Sequence, residues 1–164
     1  MADENLEKAY FAGGCFWGVE YYFQNLDGVV STKNGYMGGH IDNPSYEDVL
    51  SKKTGHAETV EIVFDAIKVS FKLLAKLFFE IHDPTQVNRQ GPDIGEQYRS
   101  AIFYMSENQK QTAEELINIL KDKGCKVVTK LEKAQRFWPA QDYHQKYYLK
   151  NGQKPYCHVR QNKF

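Results

Sequence analysis

Apolar and polar side chains alternate most regularly over Ala57–Phe64, where Glu58, Val60, Ile62 and Phe64 fall on one face and Thr59 and Glu61 on the other. A period of two predicts a strand with one buried face. The steps then lengthen to three and four over Leu73, Leu74, Leu77, Phe78 and Ile81, which predicts an amphipathic helix capped by Ser70 and ended by Pro84. A second such helix follows Ser106 and Gln109, which have capping-box spacing. It should bury Ala113, Leu116, Ile117 and Leu120 and stop at Gly124. Lys8–Ala12, Val29–Asn34, Ser100–Met105 and Lys126–Leu131 read as strands, and Cys15–Gln24, Ser45–Leu50 and Ala140–Leu149 as helices. The glycine-rich stretches Gly35–Asn43 and Asn88–Gly95 read as loops. Strands and helices interleave, but several connections are long. The pattern predicts an α+β fold, a two-layer α/β sandwich with a mixed sheet and long loops, rather than a fully wound parallel sheet.

A chain of 164 residues without repeats or a linker-like tract fits one domain, residues 1–164, with 150–164 as a C-terminal tail. Lys plus Arg and Asp plus Glu both total 21, so no global field favours nucleic acid or an anionic membrane. The apolar runs are far shorter than the ~20 residues of a spanning helix. Met1–Lys8 lacks the layout of a signal peptide, and a cytoplasmic location is the expectation. Cys15, Cys125 and Cys157 are odd in number and widely spaced, with no Cys-x-x-Cys pair, so neither a disulfide framework nor a zinc site is indicated. What matters is which thiol is reactive.

Cys15 follows Gly13-Gly14 and opens a helix-compatible segment. A helix N-terminus offers free N–H groups and partial positive charge, both of which favour a thiolate. The alternative is a buried structural thiol, and the turn-and-aromatic context favours the nucleophile. Phe16 and Trp17 suit either the core or an apolar pocket for a methyl-sized group. Glu58 shares the apolar face of its strand, where desolvation should raise its pKa and suit it to general acid work. His56 falls on the same face as a hydrogen-bonded support. Asp93, Glu96, Tyr98 and Arg99 follow a glycine loop that could hold a ligand. Cys157 is either a mobile tail thiol able to reach an oxidised partner or an incidental one, and Cys125 reads as structural. No His, Asp or Glu set has metal spacing.

Phe11-Ala12-Gly13-Gly14-Cys15-Phe16-Trp17-Gly18-Val19-Glu20 resembles the active-site signature of the peptide methionine sulfoxide reductase A family. Gly35-Tyr36-Met37-Gly38-Gly39, Pro44-Ser45-Tyr46, Thr54-Gly55-His56-Ala57-Glu58, His82-Asp83-Pro84, Arg89-Gln90-Gly91-Pro92-Asp93, Gln97-Tyr98-Arg99-Ser100-Ala101 and Asp142-Tyr143-His144-Gln145 resemble its later motifs, in order. Met37 and Gln141 stand where the family more often has a small residue and Glu, and the tail carries one Cys where some members have two.

The resemblance implies reduction of methionine-S-sulfoxide, free or in proteins, to methionine. Cys15 would be the nucleophile, Phe16 and Trp17 the methyl pocket, and Glu58 the acid. Tyr46 and Tyr98 would hydrogen-bond the sulfoxide oxygen, Asp93 would hold substrate or water, and Cys157 would resolve the oxidised Cys15. It further implies a thioredoxin-like reductant, a monomer, and no metal, flavin, nucleotide, nucleic-acid or membrane partner. Two rivals remain at this point. One is a thiol hydrolase using His56, His82 or His144 as base, and the other is an aromatic binding module without turnover.

Overall fold

The structure is a computed structural model that describes residues 5–51, 54–141, 144–145, 158 and 160–164. Along the chain run β1 (Leu6–Gly13), α1 (Phe16–Phe23), β2 (Val29–Met37), α2 (Tyr46–Leu50), β3 (Ala57–Asp65) and α3 (Phe71–Ile81). The short β4 (Arg89–Gln90) and β5 (Asp93–Ile94) and a 3-10 turn at Glu96–Tyr98 come next. They are followed by β6 (Ser100–Tyr104), α4 (Glu107–Asp122), β7 (Lys130–Lys133) and β8 (Trp138–Pro139). Six strands form one sheet in the order β7-β6-β1-β3-β2-β8. Only β6 and β7 pair in parallel, so the sheet is mixed, and the α+β sandwich stands as expected.

Alternation along the strands divides the core in two. Phe11, Tyr36, Val60, Ile62, Phe64 and Ile102 meet Val19 and Phe23 of α1, Leu74 and Phe78 of α3 and Leu116 of α4. Phe11 is at the centre, its ring stacked 5.0 Å from Phe78 and 5.6 Å from Phe23. Tyr10, Ala12, Met37, Ala57, Ala101 and Phe103 point the other way, under Ala134 and Phe137. All three long helices lie on one side of the sheet, which therefore has one helical layer and one face closed by loop.

Several elements differ from the sequence reading. β2 does not end at Gly35 but runs to Met37, because Gly35 has no side chain. A Cβ there would meet the Phe137 ring and the Trp138 carbonyl, so its absence lets β8 pair with this edge. Asn88–Gly95 contains a small hairpin, β4–β5. Leu73 is 49% exposed, and α3 buries Ala75, Phe79 and Glu80 in addition to the predicted apolar face. Ser106 accepts from the Gln109 amide at 3.2 Å, but the Gln109 side chain accepts from Met105 N–H rather than closing a box on Ser106. The strand read at Lys126–Leu131 forms later, at Lys130–Lys133, and Cys125 lies before it, half-buried. Most of the helix read at Ala140–Leu149 lies outside the described residues.

His82, at the end of α3, joins the two layers from inside. Its Nδ1–H donates to the Phe78 carbonyl at 2.6 Å, and Nε2 accepts from the Ser100 hydroxyl at 2.7 Å. Gly13 lets β1 end against this ring, since a Cβ there would lie 3.1 Å from His82 Cγ. Burial, with Lys163 and His158 nearby, lowers the His82 pKa from 6.5 to about 3. Below the ordinary value the unfolded chain takes up a proton that folded His82 refuses, so stability falls with acid until His82 itself titrates. The slope from this one group approaches about 1.4 kcal/mol per pH unit. Denaturant unfolding between neutrality and moderate acid should show that slope, and His82→Gln should flatten it. An unchanged slope in the variant would move the acid sensitivity elsewhere.

Candidate active site

The turn that carries Cys15 is built where β1 becomes α1. Gly14 has φ +92, a conformation costly for any residue with a side chain. Cys15 is the N-cap residue of α1, and its carbonyl accepts from Gly18 N–H at 3.1 Å and Val19 N–H at 3.3 Å. Its side chain is 8% exposed, under cover but reachable. The next amide, Phe16 N–H, donates to Glu58 Oε1 at 3.2 Å. Glu58 is 1% exposed and projects from β3 on the α1 face, as its strand period predicts. Burial disfavours its charged form, while the helix N–H and the positive end of the α1 dipole favour it.

Tyr98, in the 3-10 turn, gathers the rest of the polar site. Burial holds its phenol well above the ordinary range, and the electrostatic influence of Glu58, Tyr46, Asp93 and Cys15 adds to this. Tyr98 is thus fixed as a hydrogen-bond donor among the other four candidate polar residues. Tyr46 opens α2, where Ser45 Oγ accepts from Asp48 N–H at 3.0 Å and Asp48 Oδ2 accepts from Ser45 N–H at 2.9 Å. Asp93 lies on β5 opposite Gln90. The Gln90 amide accepts from Asp83 N–H at 2.6 Å and donates to the Asp83 carbonyl at 2.9 Å, fastening the hairpin to the end of α3.

Phe16 and Trp17 differ in burial. Phe16 is fully buried and belongs to the core, 5.6 Å from Tyr36, which pairs with Glu58 across the sheet. Trp17 is half-buried and stacks on Tyr46 at 6.4 Å. Between them sits His144, whose ring is 4.3 Å from Tyr46 and 5.5 Å from Trp17 and whose Nδ1 accepts from the indole N–H at 3.2 Å. Burial lowers the His144 pKa, which keeps this acceptor available.

A buried polar hub carries His144. Asn34 Nδ2 donates both to Glu20 Oε1 at 3.0 Å and to the His144 carbonyl at 2.7 Å. Thr32 donates to Glu20 Oε2 at 2.8 Å, and the Gln145 side chain pairs with both backbone groups of Asn34. Sequence reasoning missed Asn34 and gave Glu20 no role. The local signal was a polar residue on the inward face of β2, but its partners are far away in sequence.

The structure thus brings together Cys15, Phe16, Trp17, Tyr46, Glu58, Asp93 and Tyr98. Cys157 lies outside the described residues. Cys125 N–H donates to the Leu120 carbonyl at the end of α4. His56 supports the loop before Tyr46, accepting at Nδ1 from Gly39 N–H at 3.0 Å and donating from Nε2 to the Ile41 carbonyl at 2.6 Å. The ring nitrogens of His56 and His82 and the Nδ1 of His144 are therefore engaged in structural bonds, which leaves the hydrolase reading without support. Among the described residues no group of three His, Cys, Asp or Glu side chains is placed to hold a metal, and no helix is long and apolar enough to cross a membrane.

A family profile described as peptide methionine sulfoxide reductase matches residues 7–164. The peptide methionine sulfoxide reductase MsrA of Methanothermobacter thermautotrophicus is 53% identical over 154 residues, covering 92% of this chain and 91% of that protein. The crystal structure of reduced Mxr1 from Saccharomyces cerevisiae superposes with a TM-score of 0.89 at 33% identity, covering 96% of this chain and 93% of that one. Mxr1 in complex with Trx2 superposes with a TM-score of 0.64 at 25% identity, covering 96% and 91%.

The hub makes a prediction of its own. Asn34→Asp replaces two donations with an acceptor and adds a charge beside Glu20. Each buried acceptor left without its donor costs roughly 1–3 kcal/mol, and the like charge adds to that. Asn34→Asp should therefore unfold at lower denaturant than Asn34→Ala and shift the Trp17 emission. Equal midpoints for the two variants would show that the hub does not depend on donor chemistry.

Proposed function

The chain belongs to the peptide methionine sulfoxide reductase family and reduces methionine sulfoxide to methionine, and we propose that Cys15, Glu58, Tyr46, Tyr98 and Asp93 carry that reaction. The observation that supports this best is the Phe16–Glu58 bond, which holds the Glu58 carboxyl at the N-terminus of the helix that Cys15 caps.

A sulfoxide sulfur becomes electrophilic when its oxygen is protonated or strongly hydrogen-bonded. Glu58 supplies the proton, and the phenols of Tyr46 and Tyr98 donate to the same oxygen. The Cys15 thiolate, favoured by the helix N-terminus, attacks the sulfur while Trp17 and Phe16 receive the methyl group. Asp93 orients substrate or water. The oxygen passes to Cys15, which is oxidised by two electrons to a sulfenic acid as the sulfoxide is reduced to methionine. No step requires a metal or an organic cofactor.

Cys157 then attacks the sulfenic sulfur. The S–O bond breaks, water leaves and a Cys15–Cys157 disulfide forms. A thioredoxin-like dithiol protein reduces it by exchange, a reading supported by the Mxr1–Trx2 complex. The same reading treats the chain as one catalytic domain, 1–164, acting as a monomer in the cytoplasm, where thiols are kept reduced.

Cys15→Ser should abolish methionine formation while the circular dichroism spectrum is kept, and residual thiol-dependent turnover would remove the mechanism. Glu58→Gln keeps a hydrogen-bonding side chain but not the proton, and should slow the reductive step by ~10²–10⁴. A rate close to wild type would assign the oxygen to the tyrosines alone. Cys157→Ser should still form about one methionine per enzyme but lose thioredoxin-dependent turnover, with partial rescue by a small thiol. If Cys125→Ser shows that loss instead, the resolving role moves to Cys125.

A further inference from the structure

One buried imidazole lies where three of the rings assigned to the substrate meet, and no step above uses it. His144 is 1% exposed. Its ring centroid is 4.3 Å from that of Tyr46, 5.5 Å from Trp17 and 5.6 Å from Phe16. The imidazole and indole planes lie 23° apart, and Nδ1 accepts from the Trp17 indole N–H at 3.2 Å. The Trp17 and Tyr46 rings are themselves nearly parallel, 21° apart, with centroids 6.4 Å apart. A ring in contact with both sets the spacing between them. With so little exposed surface, His144 acts on a substrate only through the rings it touches.

The imidazole is anchored from behind through its own backbone. His144 N–H donates to the Gln141 carbonyl at 2.9 Å, and the His144 carbonyl accepts from Asn34 Nδ2 at 2.7 Å. The next side chain, Gln145, accepts from Asn34 N–H at 2.6 Å and donates to the carbonyls of Asn34 at 2.8 Å and Ala140 at 3.1 Å. Residues 144 and 145 are therefore fastened to β2, the strand that pairs Tyr36 with Glu58. The sheet fixes where the imidazole stands, and the imidazole fixes the indole.

We propose that His144 is a positioning residue that sets substrate specificity: by fixing the Trp17 indole relative to the Tyr46 phenol, it sizes the site for S-methyl sulfoxides and against larger S-alkyl ones. This rests on the reading of Trp17 as the wall that receives the methyl group and of Tyr46 as a donor to the sulfoxide oxygen. The oxygen and the methyl carbon share one sulfur, so a phenol that holds the first also sets where the second lies. An indole held at its N–H cannot turn aside to admit another carbon. Apolar pockets separate substrates that differ by one methylene by roughly 10–200-fold, and a wall that yields forfeits part of that discrimination.

The test is a set of single turnovers of the full chain without reductant. Release of methionine from methionine sulfoxide, and of ethionine from its S-ethyl homologue, is measured against sulfoxide concentration. The wild type should prefer the methyl substrate at least about tenfold, and the absence of that preference would overturn the proposal. His144→Leu keeps apolar bulk but loses the acceptor. It should bring the preference to within about threefold, chiefly by raising the methionine sulfoxide concentration at half-maximal rate and not by lowering the maximal rate. The indole N–H resonance of Trp17 should move in the same variant. His144→Asn, whose Oδ1 stands close to the place of Nδ1, should recover part of the preference. If Trp17→Ala loses the preference and His144→Leu keeps it, the proposal is overturned while the reading of Trp17 stands. If Trp17→Ala keeps it, the reading of Trp17 falls and the proposal with it. Equal slowing of both substrates by His144→Leu would make His144 a structural part of the pocket and overturn the proposal. Should His144→Leu fail to fold, Trp17→Phe removes the indole donor and leaves His144 in place. It should also lose the preference, and a wild-type preference there would overturn the proposal.

Discussion

The hydrogen bond from Phe16 N–H to Glu58 is the constraint on which the site depends. It uses one of the free amides at the start of α1, groups that otherwise need water or a capping side chain. Because Cys15 is the N-cap, no Ser, Thr or Asp can occupy that position, and the helix takes its acidic partner from β3 instead. A thiol and a carboxyl group are thus held together by the means that complete a helix end. β3 can supply Glu58 only if α1 packs on that face of the sheet. The stack of Phe11, Phe23 and Phe78 fixes that packing.

Around this pair the protein places rings that are each held from outside the pocket. Trp17 is held by His144, His144 by Asn34, and Asn34 by Glu20 of the helix that carries Trp17. The circuit closes on itself, so the indole cannot turn without disturbing α1, β2 and the segment at residues 144–145 together. Charge is kept inside the circuit, at Glu20, where two donors meet it, and away from the apolar wall.

What the sequence disclosed follows the range of the interactions. The setting of Cys15 was legible because glycines, thiol and helix start are neighbours, and that of Glu58 because strand period alone sets its face. The fold class was legible because β3, α3 and α4 carry regular periods. Asn34 and His144 were not, since their meaning comes from partners more than a hundred residues away. Gly35 was misread as a loop start because glycine signals a turn in one dimension, while here it makes room for a neighbouring strand. Phe16 and Trp17 could not be separated by composition, since only the packing decides which ring is buried.

The meeting of the N-terminal turn with distant residues also bears on how the site is assembled. Trp17 bonds a residue 127 positions later, and Gly13 one 145 positions later. Such contacts carry a loop-closure entropy greater than that of contacts between near neighbours. During synthesis Cys15 leaves the ribosome well before His144 and His158, the residues that these contacts need. Until then Cys15 lacks those neighbours. The surroundings of the turn at residues 13–18 are complete only when residues 144 and 158 have been made.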